Sequence, residues 1–254
     1  DDSNRIKKQV SNVQYEENGD ATSDWEIVID PLGEELKDIE VSDTFDTSKH
    51  TGILKSSIKV KTESGQKITP TFNDSETIEL QGHDGYYQKF KIKLLGTYSE
   101  KIYVTYKAKT FYDDIKSAEV DIVNNVGVIV NNQWKGANDR FTYRKDTGAM
   151  TKVGSKDESY FKWVVKMNID PDCNWLAAKD YGENDVLSMT DVIPEGMTLV
   201  QKGDKSPKVS CNYEGGKELS DGTNCWNYDE STRTFTVNVS NFGKKFVWVV
   251  YWTK

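Results

Sequence analysis

Apolar and polar residues alternate with a period of two along most of this chain, and helical periodicity is nearly absent. In Ile102-Tyr103-Val104-Thr105-Tyr106, positions 102, 104 and 106 share one face. In Thr234-Phe235-Thr236-Val237-Asn238-Val239, the apolar residues line one side and polar residues the other. Successive side chains of an extended strand point to opposite faces, so this pattern builds sheets with one buried and one wet face. Short runs of this kind, separated by clusters of Gly, Asn, Asp and Ser, predict an all-β fold, sandwich or barrel. The 7 Trp, 13 Tyr and 9 Phe among 254 residues supply core-forming groups that a disordered chain lacks.

Charge narrows the classes of partner. The formal net charge is −8, and no Lys/Arg cluster forms the basic stripe that a nucleic-acid-binding module needs. No apolar run approaches the ~20 residues of a membrane-spanning helix, so this fragment is not expected to span a membrane. It opens at Asp1-Asp2-Ser3 without a signal peptide, as a mature or cloned fragment of a secreted protein would, and as a cytosolic protein would too. The cysteines are Cys173, Cys211 and Cys225. Cys211 and Cys225 would suit a disulfide across neighbouring strands, leaving Cys173 over, and three thiols is the other reading. Without a CxxC pair, no structural zinc site is expected, and no metal ligand is assigned.

An internal repeat organises the chain. Asp24-Trp25-Glu26-Ile27-Val28-Ile29-Asp30 is followed by Ile39-Glu40-Val41-Ser42-Asp43. Lys162-Trp163-Val164-Val165-Lys166-Met167-Asn168 is followed by Leu187-Ser188-Met189-Thr190-Asp191. Each unit has a Trp, apolar residues two and four positions later, Asp or Asn at the fifth, and then a strand ending in Asp. Each closes on an aromatic-rich strand, with Tyr106-Lys107-Ala108-Lys109 matching Tyr251-Trp252-Thr253-Lys254. Two copies of one domain explain this economically. The turn-forming run Asn131–Asn138 suggests a boundary, giving domains 1–133 and 134–254 with Trp134 at their junction.

These motifs, in this order and twice over, resemble the CnaA-type, reverse-immunoglobulin domains of Gram-positive surface adhesins and pilins. That family's pattern runs from a Lys on the first strand through Trp-x-hydrophobic-x-hydrophobic-Asn and an Asp-bearing strand end to Tyr-x-Thr and a last strand bearing Asn. The resemblance covers nearly the whole chain, through short and degenerate motifs. It implies two tandem immunoglobulin-like β-sandwich domains, extracellular and wall-anchored in the full-length protein. It also implies a spontaneous Lys–Asn isopeptide bond assisted by a buried acid. Strand parity tests which residues fit. Lys8 shares a face with Ile6 and Val10, Asp43 with Val41 and Phe45, and Asn124 with Ile122 and Val126. Asn125 is the alternate to Asn124. Three polar groups on apolar faces are costly unless they meet. Burial favours a neutral amine beside a neutral acid, so Lys8 would attack the Asn124 carbonyl while Asp43, as the catalytic acid, polarises it. Ordinary strand and turn roles for the same three residues are the plainer reading.

The second copy offers Lys145, on a face with Phe141 and Tyr143, and Asp191, which matches Asp43. The Asn-bearing last strand expected after Lys254 is missing from this copy, so no second Lys–Asn pair is assigned. An edge left open in this way suits strand addition from a neighbour.

Other chemistry finds little footing. His50 and His83 lie in polar, loop-like surroundings without a serine in a nucleophile-elbow pattern. Asp170-Pro171-Asp172-Cys173-Asn174 begins like a calcium loop, but Trp175 stands where the loop glycine belongs, leaving at most a weaker loop site. Trp134, Trp175 and Trp226, in loop-like segments, are candidates for ligand contact. The expectation is therefore an adhesin region with a host matrix protein or glycan as partner, no cofactor, and no enzymatic action on a diffusible substrate. A stalk or pilin segment and a carbohydrate-binding module of a secreted enzyme are the alternatives.

Overall fold

The computed structural model describes residues 4–45, 49–145, 148–173, 185–211, 225–240 and 245–254. It is all-β with antiparallel sheets throughout, and it divides into two compact units, Asp1–Arg144 and Lys145–Lys254. Among the described residues no helix is long and apolar enough to cross a membrane.

In unit 1 the strands are β1 (Ile6–Tyr15), β2 (Ala21–Ile29), β3 (Ile39–Thr44), β4 (Thr51–Leu54), β5 (Lys59–Thr62) and β6 (Lys67–Ile68). They continue with β7 (Thr71–Phe72), β8 (Ile78–Glu79), β9 (Tyr86–Leu94), β10 (Ile102–Thr110), β11 (Glu119–Val130) and β12 (Gln133–Arg144). Hydrogen-bonded pairing runs β1-β2-β10-β4-β9-β3-β11-β12. The path curls until its two ends meet. Val10 donates its backbone N–H to Asp139 Oδ2 at 2.9 Å, and Arg144 donates its own to the Tyr15 hydroxyl at 2.9 Å. Period-two alternation is what permits this closure. Every other residue of β2, from Ala21 to Ile29, is buried, and the inward rows of β3, β9, β10 and β11 fill the same core. Trp25 anchors it, edge-on to Phe45 at 5.4 Å, and truncating such a side chain to Ala costs about 3–5 kcal/mol.

The boundary lies at 144/145, not at 133/134 as the sequence suggests. Asn131 and Asn132 have φ of 51° and 61°, and positive φ at both central residues is what a two-residue type I′ hairpin turn requires. β11 and β12 therefore pair in register from Val130↔Gln133 to Glu119↔Arg144. The turn-forming run is a hairpin tip inside unit 1. Trp134 accordingly belongs to that hairpin and is 67% exposed. Its indole lies across Gly127 and Gly136, where a Cβ would come within 2.8 and 2.6 Å of the ring.

Unit 2 is a two-sheet sandwich. Its strands are β13 (Met150–Asp157), β14 (Tyr160–Asn168), β15 (Leu187–Val192), β16 (Lys208–Cys211), β17 (Trp226–Asp229), β18 (Thr234–Val239) and β19 (Phe246–Thr253). One sheet runs β13-β14-β19-β16 and the other β15-β18-β17. Between them pack Val165, Met167, Leu187, Phe235, Val249 and Tyr251 among others.

Two sequence expectations are corrected here. No disulfide joins Cys211 to Cys225, and the two do not lie across neighbouring strands: Cys211 ends β16 of the four-stranded sheet, while Cys225 precedes β17 of the other. Trp226 is not in a loop. It opens β17 and packs against the core, 6.1 Å from the Phe235 ring, which leaves little of it for a ligand. Trp175 lies outside the described residues.

Candidate functional site

Four strands of unit 1 each turn one polar side chain into the apolar core, and the four meet. On β1, Lys8 follows the buried Ile6 at strand parity and sits opposite Ile27 of β2. On β3, Asp43 follows Ile39 and Val41. On β10, Tyr106 follows Ile102 and Val104, opposite Trp25. On β11, Asn124 lies between Ile122 and Val126. The Lys8 and Asp43 side chains are 0% exposed, and Asn124 is likewise sealed.

Lys8 Nζ donates to Asp43 Oδ2 and to the Tyr106 hydroxyl, both at 2.6 Å. The Tyr106 hydroxyl donates to Asp43 Oδ1 at 2.9 Å, and Asn124 Nδ2 donates to the same oxygen at 2.8 Å. Asp43 is thus the hub, accepting from an amine, a phenol and an amide. Aromatic faces enclose the amine, with Nζ 4.6 Å from the Tyr106 ring centroid and 5.3 Å from that of Trp25. Beyond Tyr106, Phe90 stands edge-on at 5.7 Å. One polar atom is left over: Asn124 Oδ1 is buried without a hydrogen-bond partner. Unsatisfied buried acceptors are uncommon and ask for a reason.

Electrostatics favours reactivity of the amine. Burial pushes Lys8 below its ordinary value of 10.5, and the attraction of Asp43 offsets that only in part. Burial, reinforced by the negative charge of Asp43, pushes the Tyr106 phenol well above 10, so it stays a neutral donor. The result is an amine inclined to lose its proton, a carboxyl group hydrogen-bonded to it, and a carboxamide on the same carboxyl.

Lys8, Asp43 and Asn124 are therefore brought together. Asn125 is not among them: it faces the opposite side of β11, with its backbone opposite Asn138 and Thr44. Tyr106 was not singled out from sequence, although its parity with Ile102 and Val104 places its hydroxyl in the core.

In unit 2 the expected pairing of Lys145 with Asp191 is corrected. Lys145 is buried against Asp170, Nζ to Oδ2 2.8 Å, with Asp172 at 3.5 Å. Asp170 also receives the Asp172 backbone N–H at 2.8 Å. The acidic run that opened like a calcium loop thus turns its carboxylates to a lysine, and Asn174 lies outside the described residues. Asp191 takes Lys152 of β13 at 2.7 Å and the hydroxyl of Tyr251. Phe141 and Tyr143, with which the sequence pattern groups Lys145, lie on β12 of unit 1. The histidines play separate parts in unit 1. His83 stacks on Phe111 and meets Asp114 Oδ2 at 2.5 Å, and His50 Nδ1 lies 2.8 Å from the Thr51 hydroxyl.

No family model matches the chain, and no curated protein matches it. Among solved structures, it is similar to the collagen-binding subdomain of the Enterococcus faecalis surface protein ACE, at 14% identity and a TM-score of 0.30, over 54% of this chain and 93% of that one. It is similar to the collagen-binding domain of a Staphylococcus aureus adhesin, at 11% identity and 0.34, over 56% and 97%. A third similar structure is BcpA, the major pilin subunit of Bacillus cereus, in its D312A form. There the identity is 12% and the TM-score 0.39, over 92% of this chain and 55% of that one, so the chain spans about half the length of that pilin.

Proposed function

We propose that unit 1 cross-links itself through an isopeptide bond between Lys8 and Asn124, and that the chain is a cell-surface adhesin region stabilised by that bond. The observation that carries the reading is the sealed Lys8–Asp43–Asn124 cluster, in which the carboxamide oxygen alone lacks a partner.

The chemistry needs no other reagent. Lys8 passes a proton to Asp43 and becomes a neutral nucleophile. The Asn124 amide turns about its last bond, exchanging two nearly isosteric ends, so that Oδ1 accepts from the protonated Asp43. Nζ attacks Cγ, and the new C–N bond forms as negative charge gathers on Oδ1, held by the acid. Asp43 then passes its proton to Nδ2 and takes up the surplus proton of Nζ, the Cγ–Nδ2 bond breaks, and ammonia leaves behind a neutral amide. Fixed proximity replaces an enzyme, and the hydroxyl of Tyr106 holds Asp43 in place throughout.

Extracellular, wall-anchored display and a host matrix protein as ligand complete the proposal, supported by the CnaA-type order of motifs in both units. Intact mass under denaturing conditions tests the bond: the chain is expected one ammonia lighter than its sequence, and Lys8→Ala restores the full mass. An unshifted wild-type mass refutes it. Retention on immobilised matrix proteins, collagen first, tests the adhesive role, and a cross-linked chain that none of them retains points to a stalk segment instead.

A further inference from the structure

The outer face of the β11–β12 hairpin carries a feature that the buried cluster does not use. Register sets its rows: Ile129 lies opposite Trp134, Gly127 opposite Gly136, and Asn125 opposite Asn138. On β3, Ser42 borders Gly127 and Thr44 borders Asn125. These residues alternate with the inward rows, so they face out. Trp134 does not stand up from this face. Its indole reaches over both glycines, with Nε1 2.8 Å from the place of a Gly127 Cβ and Cη2 2.6 Å from that of a Gly136 Cβ. The ring is thus laid against the sheet, and 67% of the residue stays open to water.

Backbone conformation does not call for these two glycines, since neither takes a positive φ. Glycine inside a strand weakens it and marks a place where something approaches closely. Here the ring approaches, and any side chain at either position would lift it. Shielding of the backbone is the plainer role, yet a Cβ on each strand would shield it without exposing an indole. What the glycines add is a planar apolar surface held against the sheet. The surroundings select its occupant. An indole of ~250 Å², two-thirds open, offers roughly 170 Å², and Ile129 beside it is 38% exposed. A protein partner needs about 800 Å² on each side. Proline-rich peptides dock in grooves lined by aromatic rings, and among the described residues no second ring flanks Trp134. Uncharged hydrogen-bonding groups stand at the ring's edge instead. Asn138 lies about 7 Å beyond Gly136 along β12, and the Ser42 hydroxyl lies beside Gly127. A pyranose has the matching division, an apolar C–H face of ring size with hydroxyls around its rim.

We propose that Trp134, floored by Gly127 and Gly136, is the platform of a saccharide-binding site. One pyranose ring of an uncharged glycan stacks on the indole, and Asn138 and Ser42 hydrogen-bond the hydroxyl or acetamido groups at its rim. The site is separate from the Lys8–Asn124 chemistry, because Asn124 lies on the opposite, buried face of β11. It also goes beyond the protein ligand read above, and it stands whether or not the cross-link forms.

The test titrates the isotope-labelled full chain with cellotetraose, chitotetraose and lacto-N-neotetraose, and with a polyproline peptide for comparison, while NMR follows the indole N–H resonances. The Trp134 resonance, assigned by its loss in Trp134→Ala, is expected to shift saturably with at least one sugar at millimolar concentration and not with the peptide. Affinity read from the Asn138 amides should fall about tenfold in Trp134→Ala. Trp134→Tyr, which keeps a ring, should recover most of it, and Gly136→Ala, which displaces the ring, should weaken binding in a chain whose amide spectrum is otherwise native. No shift with any of the sugars overturns the inference, as does an affinity that Trp134→Ala leaves unchanged. A shift with the peptide alone overturns it too, and makes this face a peptide site.

Discussion

Replacing Asn124 by Ala separates a covalent core from a merely polar one, because the two predict different losses of stability. The substitution removes one hydrogen bond to Asp43 and leaves a cavity of a few atoms, while the Lys8–Asp43 ion pair stays intact. Together these cost about 2 kcal/mol. A Lys8–Asn124 bond would also close a loop of over a hundred residues, and chain entropy assigns such a loop about 4.7 kcal/mol. The variant therefore loses roughly 7 kcal/mol if the bond forms and about 2 if it does not. At about 2–4 °C per kcal/mol for a unit of this size, Tm falls by roughly 14–28 °C in the first case and about 4–8 °C in the second. Differential scanning calorimetry reads the transition that the substitution displaces. A fall confined to the smaller range, with a wild-type mass equal to that of the sequence, refutes the cross-link.

Other perturbations address separate parts of the molecule. In the unlinked Asn124→Ala background, Lys8 sits below its unfolded value of 10.5, so the unfolded chain binds that proton more tightly. Stability should therefore rise as pH approaches 10.5, and the rise should disappear on adding Lys8→Met, as urea denaturation at stepped pH would show. Asp170→Asn takes the nearest counter-charge from buried Lys145 and should destabilise unit 2 by about 3 kcal/mol in the same assay. Gly19 has φ of +87°, and a Cβ there would stand 2.3 Å from the buried Tyr112 ring. Gly19→Ala should cost roughly 3 kcal/mol in urea denaturation. Gly136→Ala would push the exposed Trp134 indole from its glycine floor, which should shift that indole N–H resonance in NMR while costing less than about 1 kcal/mol.

Strand parity made the core of the site legible. Lys8, Asp43 and Asn124 each interrupt an apolar row, and rows that must be buried together bring their exceptions together. Tyr106 interrupts nothing, since a tyrosine in an apolar row looks like core, and its hydroxyl gains meaning only from Asp43 across the sheet. The misplaced boundary has a local cause. Consecutive asparagines suit a linker and a type I′ hairpin turn equally, and only the register of β11 with β12 separates the two. Lys152, the lysine that Asp191 meets, was hidden for another reason. Met150–Asp157 is exposed on both faces save at its last residue, so no parity marks the lysine. Its place opposite Val165 comes from a pairing between strands. The cysteine pairing failed likewise, because which sheet a strand joins is not written in its own residues.

The position of Lys8 near the start of unit 1 and of Asn124 near its end has a consequence under tension. Pulled from its two ends, an unlinked unit of this length could pay out nearly its whole contour, roughly 490 Å at about 3.5 Å per residue. With Lys8 bonded to Asn124, load entering β1 passes across the core and leaves through the end of β11 and β12. Only about 25 residues then remain in series with the force, and the unit could lengthen to no more than roughly 90 Å. The strands between, β2 to β10, would lie in a closed loop that carries no load, so they would keep their shape while the tether was stretched.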